Sequence, residues 1–345
     1  MRFALGTSAA TVRKAPLLLV DLETAQGVTG HAYQFCYVPA AAAALKAMLE
    51  DALSAVQGEV VAPAAVWAKL ARRYTLIGVH GVVRMAMSLM DVACWDALAI
   101  GAGQPLVSLL GGKPRAVRAY NSNGLGLMAP QAVADEAEKL LENGFRAVKL
   151  RLGYPTLEQD IAAVRAVRAR VPAGIAVMTD YNQALSVEEA LRRGRALDGE
   201  GVYWIEEPVR HDDYAGCARV AREVVTPVQI GENFSQVHDM ARALAAQAGD
   251  YVMPDLDRIG GVSGWQRAGA LACASGMEMS SHLYPEVSAH LLAATPTAHW
   301  LEYVDWANAI LAEPLRVVEG SVMIPERPGN GLVWDEDAVR KYRMA

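Results

Sequence analysis

The spacing of apolar positions changes character near residue 114. Before it, Leu17-Leu18-Leu19-Val20-Asp21-Leu22-Glu23 reads as a strand, and Ala25 to Val28 as the turn into a second one around Gly30–Cys36. Pro39 to Ala55 is Ala-rich and open to a low-complexity reading. Leu45, Met48, Leu49 and Leu53 recur there at helical spacing, however, and predict an amphipathic helix. Val82 to Ile100 is apolar almost all round, which predicts a buried helix. Leu109-Leu110-Gly111-Gly112-Lys113-Pro114 punctuates the chain and marks a domain boundary.

After Pro114, short β-like runs alternate with helical stretches. The runs are Val117–Ser122, Ala147–Leu152, Ile175–Tyr181, Val202–Glu207, Val228–Glu232, Tyr251–Asp255, Met277–Leu283 and Trp300–Val304. Helical patterns at Gln131–Asn143, Leu157–Arg170 and Val187–Leu197 lie between several of them. Such alternation implies parallel strands with crossover helices, and eight of them fit a closed barrel. The tail after Ala312, with Pro314, Pro325 and Pro328, reads as loop-rich and strand-poor, packing back on the first domain. The expected division is 1–114, 115–311 and 312–345.

Composition narrows the function. With 32 Lys and Arg against 38 Asp and Glu, the chain of 345 residues carries a charge of -6 and lacks the basic balance of a nucleic-acid or anionic-membrane binder. No apolar run is long enough to span a bilayer, and the first residues do not form a signal peptide. Cys36, Cys94, Cys217 and Cys273 show no metal-site spacing and are expected to be reduced core thiols of a cytoplasmic protein.

The runs end in chemically capable residues: Ser122, Lys149 with Arg151, Asp180 with Asn182, Glu206, Glu232, Asp255, His282 and Glu302. Any one of these is ordinarily a cap or a solvated turn residue, but their coincidence at successive strand ends places them at the mouth of a barrel. Asp180, Glu206 and Glu232 are separated by 26 residues each, one βα unit. Three converging anions require a cation, and all-oxygen ligation suits Mg²⁺. Lys149 and Arg151 project from one face of their strand. A carboxylate such as Asp255 can fix the tautomer of His282 and leave its other nitrogen as a base. Glu302, crowded by other acids, is expected to keep its proton and donate a hydrogen bond.

Phe145 to Arg151, Asp180-Tyr181-Asn182-Gln183, Trp204-Ile205-Glu206-Glu207-Pro208, Gly231-Glu232-Asn233, Met253-Pro254-Asp255 with Ile259-Gly260-Gly261, Ser280-Ser281-His282-Leu283 and Ala298 to Glu302 together resemble the enolase superfamily, and within it the mandelate racemase family. Members of that superfamily pair a Lys or His base with Mg²⁺. The resemblance implies an α/β protein, a (β/α)7β TIM-like barrel beneath an α+β capping domain. It implies that Asp180, Glu206 and Glu232 hold the metal, that His282 and Asp255 form the base dyad, and that Lys149 and Glu302 meet the substrate carboxylate. It further implies Asn182 and Ser122 as substrate contacts, an apolar side-chain site of Leu5, Val12, Leu283, Tyr284 and Val304, and a homo-oligomer, an octamer by family habit.

Three departures bear on function. The family's second catalytic lysine is Arg151 here, and a lysine three residues after the dyad aspartate is Arg258. The resemblance also leads to the expectation of a strand before Leu5 that the sequence as given lacks, which leaves a truncated start and a shortened cap as alternatives. The implied reaction is abstraction of the α-proton of a small-molecule 2-hydroxy carboxylate through an enediolate. The apolar site favours racemisation of an aryl or alkyl acid. A guanidinium, with a pKa above about 12, is a poor second base, which favours a one-base acid dehydratase using His282. A catalytically weak binder of Mg²⁺ and carboxylate is the third alternative.

Overall fold

The computed structural model describes residues 1–8, 10–14 and 16–344. The N-terminal part begins with a small hairpin, β1 (Leu5–Gly6) and β2 (Thr11–Val12), followed by the antiparallel pair β3 (Leu17–Glu23) and β4 (Thr29–Phe35). Three helices follow: α1 (Pro39–Val56), α2 (Pro63–Arg73) and α3 (Gly81–Gly101). Proline opens both α1 and α2, where its missing N–H costs nothing. Helix α3 is buried along most of its length, as its uniformly apolar pattern requires, and packs on β4 and α1.

The barrel strands are β5 (Ala116–Asn121), β6 (Ala147–Arg151), β7 (Ala176–Asp180), β8 (Val202–Glu206), β9 (Val228–Ile230), β10 (Tyr251–Val252) and β11 (Leu301–Tyr303). They pair in parallel from β5 to β10, and β11 closes back on β5. The seventh place, expected as a strand over Met277–Leu283, is filled by isolated bridges: Met279 pairs with Val252 and Ala298, and His282 with Asp255. Three of the helices between strands begin on side-chain caps. Thr156 and Gln159 form a reciprocal capping box for Leu157–Arg170, Ser186 caps Val187–Leu197, and Asp213 caps Tyr214–Glu223.

The tail differs from expectation. It holds a short hairpin, β12 (Arg316–Val318) with β13 (Ser321–Met323), and β13 pairs antiparallel with β5 on its outer side; a helix spans Glu336–Tyr342. Beyond the hairpin the tail docks on the N-terminal strands. The Asn330 side chain donates to the His31 carbonyl at 2.9 Å, and the Trp334 indole to Asp21 at 2.7 Å. Cys36, Cys94 and Cys217 are buried and unpaired as expected, but Cys273 is exposed because it falls on the outer side of a barrel helix. Among the described residues no helix is long and apolar enough to cross a membrane.

Candidate active site

Strand alternation builds the site in two layers. Tyr120, Ala147, Met178, Trp204 and Trp300 form an apolar cluster of their own within the barrel. Two residues further along each strand, on the same face, stand Ser122, Lys149, Asp180, Glu206 and Glu302. Arg151 follows Lys149 by two more. A dry floor of aromatic and aliphatic side chains thus carries a buried polar layer at the C-terminal mouth. Glu232 joins it from just beyond β9, after Gly231, whose φ of 126° and close approach to Phe234 leave no room for a side chain.

Asp180, Glu206 and Glu232 bring one ligand atom each within 4.8 Å of one another, all buried. The ammonium of Lys149 lies 2.7 Å from Glu206, 2.9 Å from Glu302 and 3.2 Å from Asp180. The carboxylate trio therefore has a built-in partner. One positive charge does not balance the group. Burial, with the neighbouring carboxylates, outweighs Lys149 and raises Glu206 to about 8, and the second oxygen of Glu206 is buried with no hydrogen-bond partner. A hard divalent cation ligated by oxygen fits both the orphaned atom and the charge deficit.

Asp255, three residues past β10, is the N-cap of a short helix, Leu256–Ile259. One carboxylate oxygen accepts from the backbone of Asp257 and Arg258, and the other accepts the Nδ1 proton of His282 at 2.6 Å. That bond turns Nε2 into the site, 3.3 Å from Glu232 and 3.9 Å from Glu302. Burial works against a charge on the imidazole, but Glu232, Glu302 and Asp255 outweigh it and hold the pKa at about 9. Glu302 accepts from the Ser122 hydroxyl at 2.7 Å and the Leu283 backbone at 2.8 Å. Burial opposes its ionisation, yet Lys149 and His282 prevail and push it well below the usual range. Crowding by acids, which alone would keep Glu302 protonated, is opposed here by the Lys149 ammonium at 2.9 Å and the His282 imidazole at 3.9 Å.

Arg151 is tied to the protein itself. Its guanidinium donates to the carbonyls of Ser122 at 2.8 Å and Gly124 at 2.9 Å, and to the Ser122 hydroxyl at 3.1 Å. Arg258 donates to Asn233 at 2.7 Å, lies 3.4 Å from Glu232, and reaches Tyr37 from the N-terminal part at 3.4 Å. Asn182 sits at φ 46° and turns its amide back on Asp180 at 3.1 Å, leaving its oxygen buried and unpartnered. Leu283, Tyr284 and Val304 line a small apolar pocket with Leu17, Tyr33, Phe35 and Trp306. Leu5 and Val12 face each other across the β1–β2 hairpin and are not among those lining residues. Sequence reasoning passed over Glu207, Asn233 and Asp257. Glu207 is buried, with Asn233 donating to it at 2.8 Å and to Glu232 at 3.2 Å. Their only signal was adjacency to the metal-ligand motifs.

A parallel barrel with carboxylates on three successive strand ends, a lysine among them and a His–Asp dyad opposite defines an enzyme that removes a proton beside a carboxylate with the help of a metal. The enolase C-terminal domain-like family model matches residues 132–338, and the mandelate racemase/muconate lactonizing enzyme N-terminal domain model matches residues 1–111. The chain belongs to the mandelate racemase/muconate lactonizing enzyme family of the enolase superfamily.

It is 33% identical over 322 residues to a 3,6-anhydro-alpha-L-galactonate cycloisomerase of Streptomyces coelicolor, covering 92% of this chain and 89% of that protein. It is 34% identical over 276 residues to an L-talarate/galactarate dehydratase of Salmonella typhimurium, covering 80% and 69%. Among solved structures, an enolase from Bradyrhizobium complexed with magnesium and mandelic acid superposes with a TM-score of 0.95 at 41% identity, covering 100% of this chain and 95% of that one. The protein is thus an enzyme of the Mg²⁺-dependent proton abstraction that defines the enolase superfamily.

Proposed function

We propose that this enzyme dehydrates a 2,3-dihydroxy carboxylate with a short, apolar remainder, using His282 as its one base. The observation that carries the reading is the guanidinium of Arg151, whose terminal nitrogens are engaged by Ser122 and Gly124. An arginine is a poor base in any setting. One held by backbone carbonyls has still less reason to lose a proton.

Asp180, Glu206 and Glu232 would hold Mg²⁺, whose charge would favour the developing enediolate and offset the anions that keep a proton on His282. Nε2 of His282 then takes the α-proton, and the C–H electron pair passes into the carboxylate. Lys149 stands ready to balance the charge gathered there. The pair next forms the Cα–Cβ double bond while the Cβ–O bond breaks. The leaving hydroxyl takes the proton back from His282 and departs as water, and the enol tautomerises to a 2-keto acid.

The walls limit the rest of the substrate. The hydroxyls of Tyr33 and Tyr284 are already bound to Glu286 at 2.6 Å and Gln34 at 2.8 Å. Sugar hydroxyls placed there lack partners, at a cost of about 1–3 kcal/mol each. Racemisation of an apolar 2-hydroxy acid is the second reading, favoured by the same walls and by the mandelic acid held in the Bradyrhizobium protein.

The two readings separate in D₂O. The dehydration reading predicts a 2-keto acid from one configuration of a 2,3-dihydroxy acid, with slow or no α-exchange of mandelate by NMR. Equal, fast exchange of both mandelate enantiomers overturns it in favour of racemisation.

A further inference from the structure

If Arg151 is not a base, its conformation needs another account, and the surrounding loop supplies one. After β5 the chain turns through Gly124 at φ 59° and Leu125 at φ 46°, a left-handed pair that a bulky residue such as leucine rarely adopts. Three groups hold this turn. The Arg151 side chain binds the Ser122 and Gly124 carbonyls, the Arg151 backbone N–H donates to the Leu125 carbonyl at 2.9 Å, and Glu136 accepts from the Leu125 N–H at 2.6 Å.

The turn presents Gly126 to the N-terminal hairpin. A Cβ on Gly126 would stand 2.7–2.9 Å from the backbone O, Cα and N of Gly6. The Leu127 N–H also donates to the Gly6 carbonyl at 3.3 Å, and Ser8 reaches over the next strand ends to the Tyr181 carbonyl at 3.3 Å. On its other side Arg151 holds the Ser122 hydroxyl, which donates to Glu302.

We infer that Arg151 is a positioning residue with two outputs: it shapes the turn on which the β1–β2 hairpin sits across the barrel mouth, and it aims Ser122 at Glu302. The inference rests on the one-base reading of Arg151 but goes beyond it, by assigning the arginine a specific task. A fork of fixed N–H donors suits two carbonyls and a hydroxyl at once, which a single ammonium on a shorter stem does not.

The test is hydrogen–deuterium exchange on the Mg²⁺-loaded, substrate-free enzyme, read alongside steady-state kinetics on a 2,3-dihydroxy acid of the class proposed above. Arg151→Met is expected to speed exchange at least about tenfold in peptides covering residues 1–8 and 122–128, because charge-assisted hydrogen bonds are lost. Arg151→Lys is expected not to restore protection. Two further variants separate the outputs. Gly126→Ala should expose only the hairpin peptide and raise KM with kcat little changed. Ser122→Ala should lower kcat about tenfold while both peptides keep parental protection.

A folded Arg151→Met protein that retains parental exchange in both segments overturns the inference. If that variant does not fold, Gly126→Ala decides: parental exchange and an unchanged KM overturn the seat. Equal exchange of both enantiomers by the parent is a failure of the one-base reading and is recognised separately.

Discussion

Lys149 is where the residue scale is most informative. It spans Asp180, Glu206 and Glu302, so it serves these buried acids as a resident counterion. Lys149→Met should therefore destabilise the chelated protein by about 3–5 kcal/mol, the usual cost of leaving buried charge unpaired. Saturating Mg²⁺ should return much of that in a denaturant titration. A variant equally stable with and without metal would show that the ammonium does not carry the charge balance.

His282→Asn should abolish α-proton exchange while calorimetry still finds Mg²⁺ bound, since the imidazole is not among the three carboxylates that would hold the ion; residual exchange at the parent rate would reject the dyad. The pH dependence follows from the same histidine. Its pKa is raised from 6.5 to about 9 in the fold, so its contribution is complete below about 6.5 and is lost as pH climbs through 9. Glu206, raised to about 8, acts in the same direction. The metal-free protein should lose stability from about pH 4.5, where Glu206 begins to contribute, up to about 9, and Mg²⁺ should flatten that slope.

At the scale of elements, the barrel was legible because period-two burial and helical spacing are local properties of a chain. The strand over Leu17–Glu23 and the helices Leu157–Arg170 and Val187–Leu197 lie where their patterns put them. Helix α2 escaped notice because Pro63 to Arg73 carries a short apolar stripe among alanines and basic residues. The strand expected at Met277–Leu283 has the right residues, yet it pairs only at isolated points while Leu283 and Tyr284 turn left-handed at φ 51° and 48°. That turn delivers the Leu283 N–H to Glu302 and the Tyr284 hydroxyl to strand β4. Site residue types were readable at strand ends. The partners of Arg151 were not, because backbone carbonyls in a turn leave no mark in the sequence. Tyr284→Phe should cost about 1–3 kcal/mol by taking the partner from one N–H of the Gln34 amide, seen as a lower urea midpoint. An unchanged midpoint would mean that the cap strand is held by packing alone.

For the whole molecule, exhaustive chelation should stop turnover and readdition of Mg²⁺ should restore it, with a rise in melting temperature that scales with metal concentration. Activity persisting in protein shown metal-free by elemental analysis would contradict the site. The docking of the tail has a different reach. Asn330 meets His31 across 299 positions, and Trp334 meets Asp21 across 313. During synthesis the first strands leave the ribosome long before those partners exist. Chains translated at about 5–20 residues per second keep that β-pair waiting for tens of seconds. Strands made well before their partners are thus among the last to be finished, and the interval in which β3 and β4 lack the cover of the tail is when a nascent chain is most exposed to mispairing with another.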